Sequence, residues 1–301
     1  MTNEHVCITH TFAQFTQLTK FTQFTKHMTI KTDLKNFYDA EAKKYASTRK
    51  KHRSDADAIL EEIKKSGEKT IAILEFGCGS GRLLDHLKTL KGIKINYIGV
   101  DISKELLQIA EKETKKEKIT NIHCTFICDD IYNYVKTCKQ EEFDLIVGIA
   151  SFQHIPTTKE KIFLMKNFYR MLRYEGKLIM TNRALSLRFL KKHKIQIMKS
   201  RLEYFMSLGK RSRRDVMVPR TPTNESSSTN PNPSATCVPR SATLYRFYHL
   251  FSLEELERLT DVSGFTREQL TYRNQDGEAI TSRTKANNSF LVAKKDVFIT
   301  V

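Results

Sequence analysis

The tightest constraint on the fold lies in residues 71–82, where a short apolar run meets an acid and three alternating glycines. Ile71 to Leu74 predict a buried strand, ended by Glu75. Gly77, Gly79 and Gly81 predict a tight turn, and Leu83, Leu84 and Leu87 the apolar face of a following helix. Such a unit lets a ligand approach backbone that carries no Cβ, and it presents unpaired N–H groups at the helix start.

Two ligand classes use this geometry, and spacing separates them. A dinucleotide fingerprint reads G-x-G-x-x-G, with the pyrophosphate on the helix N-terminus. Here the spacing is G-x-G-x-G, and Arg82 takes the third-glycine position of the dinucleotide pattern. Glu75, two residues before the first glycine, would repel a pyrophosphate but can hold the cationic amino-acid end of S-adenosylmethionine. A second acid, Asp101, closes the predicted strand 96–100, where a carboxylate accepts hydrogen bonds from ribose hydroxyls. With both acids in register, the stretch resembles the nucleotide-binding core of the class I S-adenosylmethionine-dependent methyltransferases. The resemblance implies a Rossmann-like α/β fold, a mostly parallel seven-stranded sheet with a terminal antiparallel strand, and S-adenosyl-L-methionine as cofactor. It implies cofactor contacts at Glu75, Gly77, Cys78, Gly79, Gly81, Asp101 and Ile102.

Composition sets the outer bounds. The 301 residues allow one large domain or two small ones, and 40% hydrophobic content suffices for a core. The six cysteines contain no C-x-x-C pair, which points to a reducing compartment and a cytoplasmic location. His123, Cys124 and Cys128 lie together, but strand alternation scatters them over both faces, so no metal site is expected. No run of about eighteen apolar residues is present, so no membrane-spanning helix is expected. A net charge of +17 favours a polyanionic partner.

Residues 1–35 read as a low-complexity disordered tail. Residues 14–26 repeat polar, apolar, threonine with a period of three that fits neither a helix nor a strand, and Met28 is a candidate start. Residues 36–184 read as the cofactor-binding part of the domain, 185–242 as a basic helix with a disordered insertion, and 243–301 as the C-terminal part. Phe37, Tyr38, Ala42 and Tyr45 recur at helical spacing, and a second helical face follows a break near Ser54. In such methyltransferases the helix before strand one covers the cofactor, which implies that Tyr45 and Arg49 close over the methionine carboxylate. Ser103 caps the next helix, and the strand over 121–128 ends in Asp129 and Asp130. An aspartate here commonly meets the adenine amino group in this fold, and Asp129 is the better placed. Phe143 to Ser151 read as a central parallel strand buried on both faces, with Ala150 among the implied cofactor contacts. His154 follows at its C-terminal end, where ligands bind in open α/β sheets, as a candidate proton acceptor or positioning group. An amphipathic helix over 161–172, a stop at 174–176 and a strand over 177–181 complete this part.

From Arg183 to Arg220 the chain carries twelve Lys/Arg against two acids, read as a basic amphipathic helix and then a basic loop. So one-sided a charge predicts contact with RNA phosphates, by Lys191, Lys192, Lys194, Lys210, Arg211, Arg213 and Arg214 together with Arg246 further along, with a membrane surface as the rival partner. Ser252 with Glu255 forms a capping box for a helix ended by Gly264, and two terminal strands cover 266–272 and 289–294.

Three further motifs narrow the resemblance: FYDxxAxxYxxTR at 37–49, DVMVPR at 215–220 and YRFYHLF at 245–251. In this order they are similar to the tRNA wobble-uridine carboxymethyl methyltransferases, which esterify 5-carboxymethyluridine in the anticodon loop. The chain departs from that family in having no tryptophan; a Lys50–His52 stretch, Asn182 and Arg220 stand where tryptophans are expected. The resemblance implies tRNA as partner and, in eukaryotes, a small zinc-containing activator subunit. A carboxylate acceptor is already ionised and needs no base, so the useful groups are those that orient it. Arg183 and His154, then Arg246 with Tyr248 and His249, are the candidates. The alternatives are a small-molecule methyltransferase with an acidic substrate and a non-catalytic RNA-binding module. The intact Glu75, glycine and Asp101 set argues against the latter.

Overall fold

The computed structural model describes residues 30–47, 54–117, 119–206, 212–220 and 244–296. Residues 30–40 form α1, followed by α2 (Ala42–Ser47) and α3 (Ser54–Ser66). Alternating strands and helices then follow: β1 (Thr70–Phe76), α4 (Leu84–Leu87), β2 (Lys94–Asp101), α5 (Lys104–Glu117), β3 (Ile122–Cys128), α6 (Ile131–Thr137), β4 (Phe143–Ile149), α7 (Thr158–Met171) and β5 (Leu172–Arg183). The remainder comprises α8 (Leu187–Lys192), α9 (Lys194–Met206), β6 (Asp215–Arg220), β7 (Leu244–His249), α10 (Leu253–Asp261), β8 (Thr266–Arg273), β9 (Ala279–Ile280) and β10 (Asn288–Lys294).

The main sheet runs β3-β2-β1-β4-β5-β10-β8-β9. The first five strands are parallel, and β10 runs antiparallel to both β5 and β8. Seven full strands are present as expected, and the two-residue β9 adds an eighth. Along β1 the side chains alternate between two cores. Ile71 and Ile73 pack with Ile59 and Ile63 of α3, while Leu74 and Phe76 pack with Leu164 and Phe168 of α7. Chain order reverses between β1 and β4, which opens a crevice beyond their carboxyl ends. No helix among the described residues is long and apolar enough to cross a membrane.

Several boundaries differ from expectation. Glu75 does not end β1; the strand continues to Phe76, with Glu75 opposite Gly99 and Val147. The helix after the glycines is a single turn of four residues. The stop at 174–176 is absorbed into β5, whose pairing with β4 skips from Phe143–Leu172 to Leu145–Lys177. The basic stretch ends in a strand rather than a loop: β6 pairs antiparallel with β7, so the boundary at 242 divides one ribbon. Helix α1 starts at residue 30 and buries Leu34, so the boundary at 35 falls inside it. The repeat over 14–26, Met28, and residues 221–243 lie outside the described residues.

Candidate active site

The crevice at the reversal point is lined first by the glycine loop. Gly77 and Gly79 have φ of 68° and 56°, in the left-handed region. A Cβ on Gly77 would lie 2.2 Å from Ser151 Oγ, so the loop can meet the end of β4 only at a glycine. The Gly77 and Cys78 N–H groups donate to the Val100 carbonyl at 2.7 and 3.2 Å, and Gly79 N–H donates to Asp101 Oδ2 at 2.8 Å. Gly81 N–H donates to the Cys78 carbonyl at 3.1 Å. These loop amides are therefore paired, because the loop closes on the end of β2. A pyrophosphate would need those amides. A nucleoside joined to a cationic amino acid does not, so the loop suits S-adenosylmethionine.

Both acids line the cavity. Glu75 is buried, and its Oε2 accepts the Tyr97 hydroxyl at 2.5 Å. Burial and the Glu75 charge push the Tyr97 hydroxyl far up, which keeps it a donor. Asp101 accepts Gly79 N–H on one oxygen and Ser103 N–H on the other, at 2.8 and 2.9 Å. Burial pushes its carboxyl up to about 6, against the pull of those two amides. Each oxygen keeps lone-pair capacity for a ribose hydroxyl. Cys78, Ile102, Asp129, Asp130 and Ala150 also line the cavity. Asp129 Oδ1 accepts the Asp130 N–H at 2.7 Å. Asp130 is further committed: it caps α6 by accepting Tyr132 N–H at 3.0 Å, and it pairs with Lys31 at 2.5 Å. Ala150 holds a left-handed φ of 57° as β4 ends.

Helices α1 and α2 roof this cavity with Leu34, Tyr38 and Tyr45. Asp39 of α1 accepts the Ser103 hydroxyl at 2.7 Å, which ties the roof to the end of β2. Arg49 lies outside the described residues, as do Lys210 and Arg211.

A second cavity is lined by Arg183, Lys192, His193, Arg246, Tyr248 and Asn287, among others. Burial, then the charges of Lys192, Arg246 and Arg183, push His193 below its ordinary range, a measure of how cationic this space is. Arg183 donates to Asn287 Oδ1 at 2.7 Å. Arg246 is not a surface cation: its guanidinium lies 4.5 Å from the Phe37 ring centre and 5.3 Å from that of Tyr248. His154 stands on the wall between the cavities. Its Nδ1 donates to the Phe247 carbonyl at 2.6 Å, its Nε2 is 3.0 Å from the Tyr38 hydroxyl, and its ring lies 5.0 Å from Tyr248. Arg183 is thus grouped with Arg246, while His154 borders the first cavity.

The basic candidates divide in the same way. Lys191, Lys192, Lys194 and Arg213 are exposed. Arg214 is turned inward, bonded to Glu255 at 2.9 Å and Ser252 at 2.5 Å. Sequence reasoning missed Tyr97, His193 and Asn287, and gave Tyr38 only as a packing residue. Tyr97 sits two residues before Gly99, the register partner of Glu75, and only its hydroxyl bond to Glu75 reveals it.

The family described as Methyltransferase domain matches residues 73–176. The malonyl-[acyl-carrier protein] O-methyltransferase of Paenibacillus sp. (strain JDR-2) is 28% identical over 126 residues, 42% of this chain and 44% of that protein. The tRNA (carboxymethyluridine(34)-5-O)-methyltransferase alkbh8 of Xenopus tropicalis is 26% identical over 265 residues, 79% of this chain and 38% of that protein. The chain therefore spans less than half the length of these two relatives. An S-adenosylmethionine-dependent methyltransferase from Clostridium acetobutylicum shares the fold, with a TM-score of 0.56 at 15% identity over 87% of this chain and 97% of that one. A loop closed on the end of β2, with two buried acids beside it, is carried here on that fold, and residues 73–176 carry the methyltransferase domain, with S-adenosylmethionine the cofactor that the loop and the acids suit.

Proposed function

We propose that this enzyme methylates a carboxylate on tRNA, the 5-carboxymethyl group of a wobble uridine. The observation that carries the reading is the second cavity, where Arg183, Lys192 and Arg246 converge beside the cofactor cavity. Exposed Lys191, Lys194 and Arg213 supply cations nearby for phosphates. The similarity to the Xenopus tRNA enzyme over 79% of the chain supports the same acceptor. Free Cys78, Cys124, Cys128 and Cys138 support a reducing, cytoplasmic setting.

The cofactor supplies an electrophilic methyl and a neutral thioether leaving group. A carboxylate oxygen displaces that thioether without a base, so the protein's work is to bind and align. In this reading Glu75 holds the amino-acid end of the cofactor, Asp101 the ribose, and Asp129 meets the adenine edge. Arg183 and Arg246 hold one carboxylate oxygen so that the other faces Tyr38 and His154. His154 has its Nδ1 hydrogen on the Phe247 carbonyl and its Nε2 beside the Tyr38 hydroxyl, and toward an acceptor that is already ionised it serves as a positioning group.

The test is nucleoside mass spectrometry of tRNA bearing 5-carboxymethyluridine, incubated with cofactor and the chain, with and without a small activator subunit. The methyl ester should form, and Arg183→Ala should raise the acceptor KM by about tenfold or more, the loss of one charged hydrogen bond, without changing cofactor affinity. A salt-independent methylation of free dicarboxylic acids, with no tRNA product, would replace this reading with a small acidic substrate.

A further inference from the structure

The β6–β7 ribbon pairs with no strand of the main sheet. A two-stranded ribbon is marginal alone, so something else must set its position. That position matters: the ribbon contributes Val218, Arg246 and Tyr248 to the second cavity, and its Phe247 carbonyl receives the His154 hydrogen.

At the base of the ribbon lies a buried charge cluster that the chemistry above does not use. Asp215 opens β6 and faces His249, which closes β7. His249 is 2% exposed, with Nδ1 2.6 Å from Asp215 Oδ1 and Nε2 2.8 Å from Glu255 Oε1 of α10. Each ring nitrogen thus faces a carboxylate oxygen, an arrangement that an imidazolium satisfies by donating to both. Lys161 of α7, also buried, places Nζ 3.9 Å from the same Glu255 oxygen. Arg214 takes the other oxygen at 2.9 Å and the Ser252 hydroxyl at 2.5 Å. Three cations and two carboxylates from β6, β7, α7, α10 and the turn before β6 therefore meet in one place.

We propose that His249, held as an imidazolium between Asp215 and Glu255, is the latch that docks the ribbon on α7 and α10 and so positions Arg246, Tyr248 and His154 at the acceptor cavity. Asp215, His249 and Glu255 are positioning residues; none lines either cavity. The ribbon also packs Val216, Val218 and Tyr248 with Ile197, Phe189 and Leu190, and the charge cluster adds a contact to α7 and α10 that this apolar packing does not make. The motifs at 215–220 and 245–251 are then two halves of one device, joined at Asp215 and His249.

The inference rests on the second cavity being the acceptor's, and the experiment separates the two. Amide hydrogen exchange over 215–220 and 244–249 is compared between the full-length enzyme with bound cofactor and its His249→Gln and Asp215→Asn variants; the latter is the milder if the former folds poorly. Ribbon exchange should rise by about tenfold or more while β1 and β4 stay protected. The KM for carboxymethyluridine tRNA should rise about tenfold, with the cofactor Kd within about twofold of wild type. Unchanged ribbon exchange in both variants overturns the latch. Faster exchange with an unchanged acceptor KM, or with the cofactor Kd weakened in step, overturns its positioning role. If the wild type leaves that tRNA unmethylated, the acceptor reading falls, and the exchange comparison still decides whether the latch exists.

Discussion

The two cavities on either side of Tyr38 and His154 are built in different ways. The cofactor cavity is floored by backbone: a loop whose Gly77, Cys78, Gly79 and Gly81 amides are already paired, beside two buried carboxylates held by Tyr97, Gly79 and Ser103. The second cavity is mostly side chain, with cations from β5, α8 and the β6–β7 ribbon. Backbone paired with backbone loses little when one surface residue changes. A cavity made of like charges depends on the elements that hold those charges apart. The first should therefore fail at glycines and buried acids, the second at the cations and their supports.

The sharpest way to break this contrast is Gly77→Val. The left-handed φ and the 2.2 Å approach to Ser151 Oγ make any side chain there both strained and overpacked. Together these cost about 2–5 kcal/mol. Calorimetry should find no cofactor binding; near-normal affinity would show that the loop is not the cofactor's rigid floor.

A smaller effect should come from Asp101→Ala, which removes charge-assisted bonds to ribose worth roughly 1.5–3 kcal/mol each. The pH dependence sharpens it. The Asp101 carboxyl titrates near 6, above its ordinary 3.8, because the charged form is buried. Raised in the folded state, it binds extra protons between those values, so its ionisation lowers the stability of the cofactor-free protein as pH rises through that window. Ribose donors favour the charged form. Cofactor affinity should therefore improve as pH rises from about 5 to about 7, by less than about tenfold. Asp101→Asn should flatten that rise, and an unchanged slope would remove Asp101 from the site.

The smallest effect concerns the exposed cations. Replacing Lys191, Lys194 and Arg213 by Ser should weaken tRNA binding mainly through counterion release. The log–log salt slope should flatten by about 2–3 units at most, at roughly 0.7–0.9 for each phosphate no longer neutralised. Arg214 is left out because its bonds to Glu255 and Ser252 make it part of the ribbon's anchor. An unchanged slope would leave the exposed stripe without a role in binding.

The cofactor half was legible in the sequence because its signals are local. An apolar run, an acid, three glycines and Asp101 lie within about thirty residues, and each acts on its own stretch of backbone. That the loop's own amides at Gly77, Cys78 and Gly79 are paired was not legible, since their acceptors, Val100 and Asp101, belong to the next strand. The second cavity was legible only as charge. Lys161 looks like the solvated edge of an amphipathic helix, yet it is 1% exposed against Phe251 and Glu255. Arg214 reads as one of many basic loop residues, yet it faces inward.

By itself, then, the sequence determined the parallel strands, the glycine loop, the acids beside it and hence the cofactor, because strand burial and turn chemistry are set by residues a few positions apart. Only the tertiary structure decided which cations line the second cavity, which bond inward and which face solvent. A Lys or Arg carries the same charge in all three places, and its role depends on the carboxylates and rings brought to it from elsewhere in the chain. Asp215, His249 and Glu255 come from β6, β7 and α10, and no local pattern could have joined them.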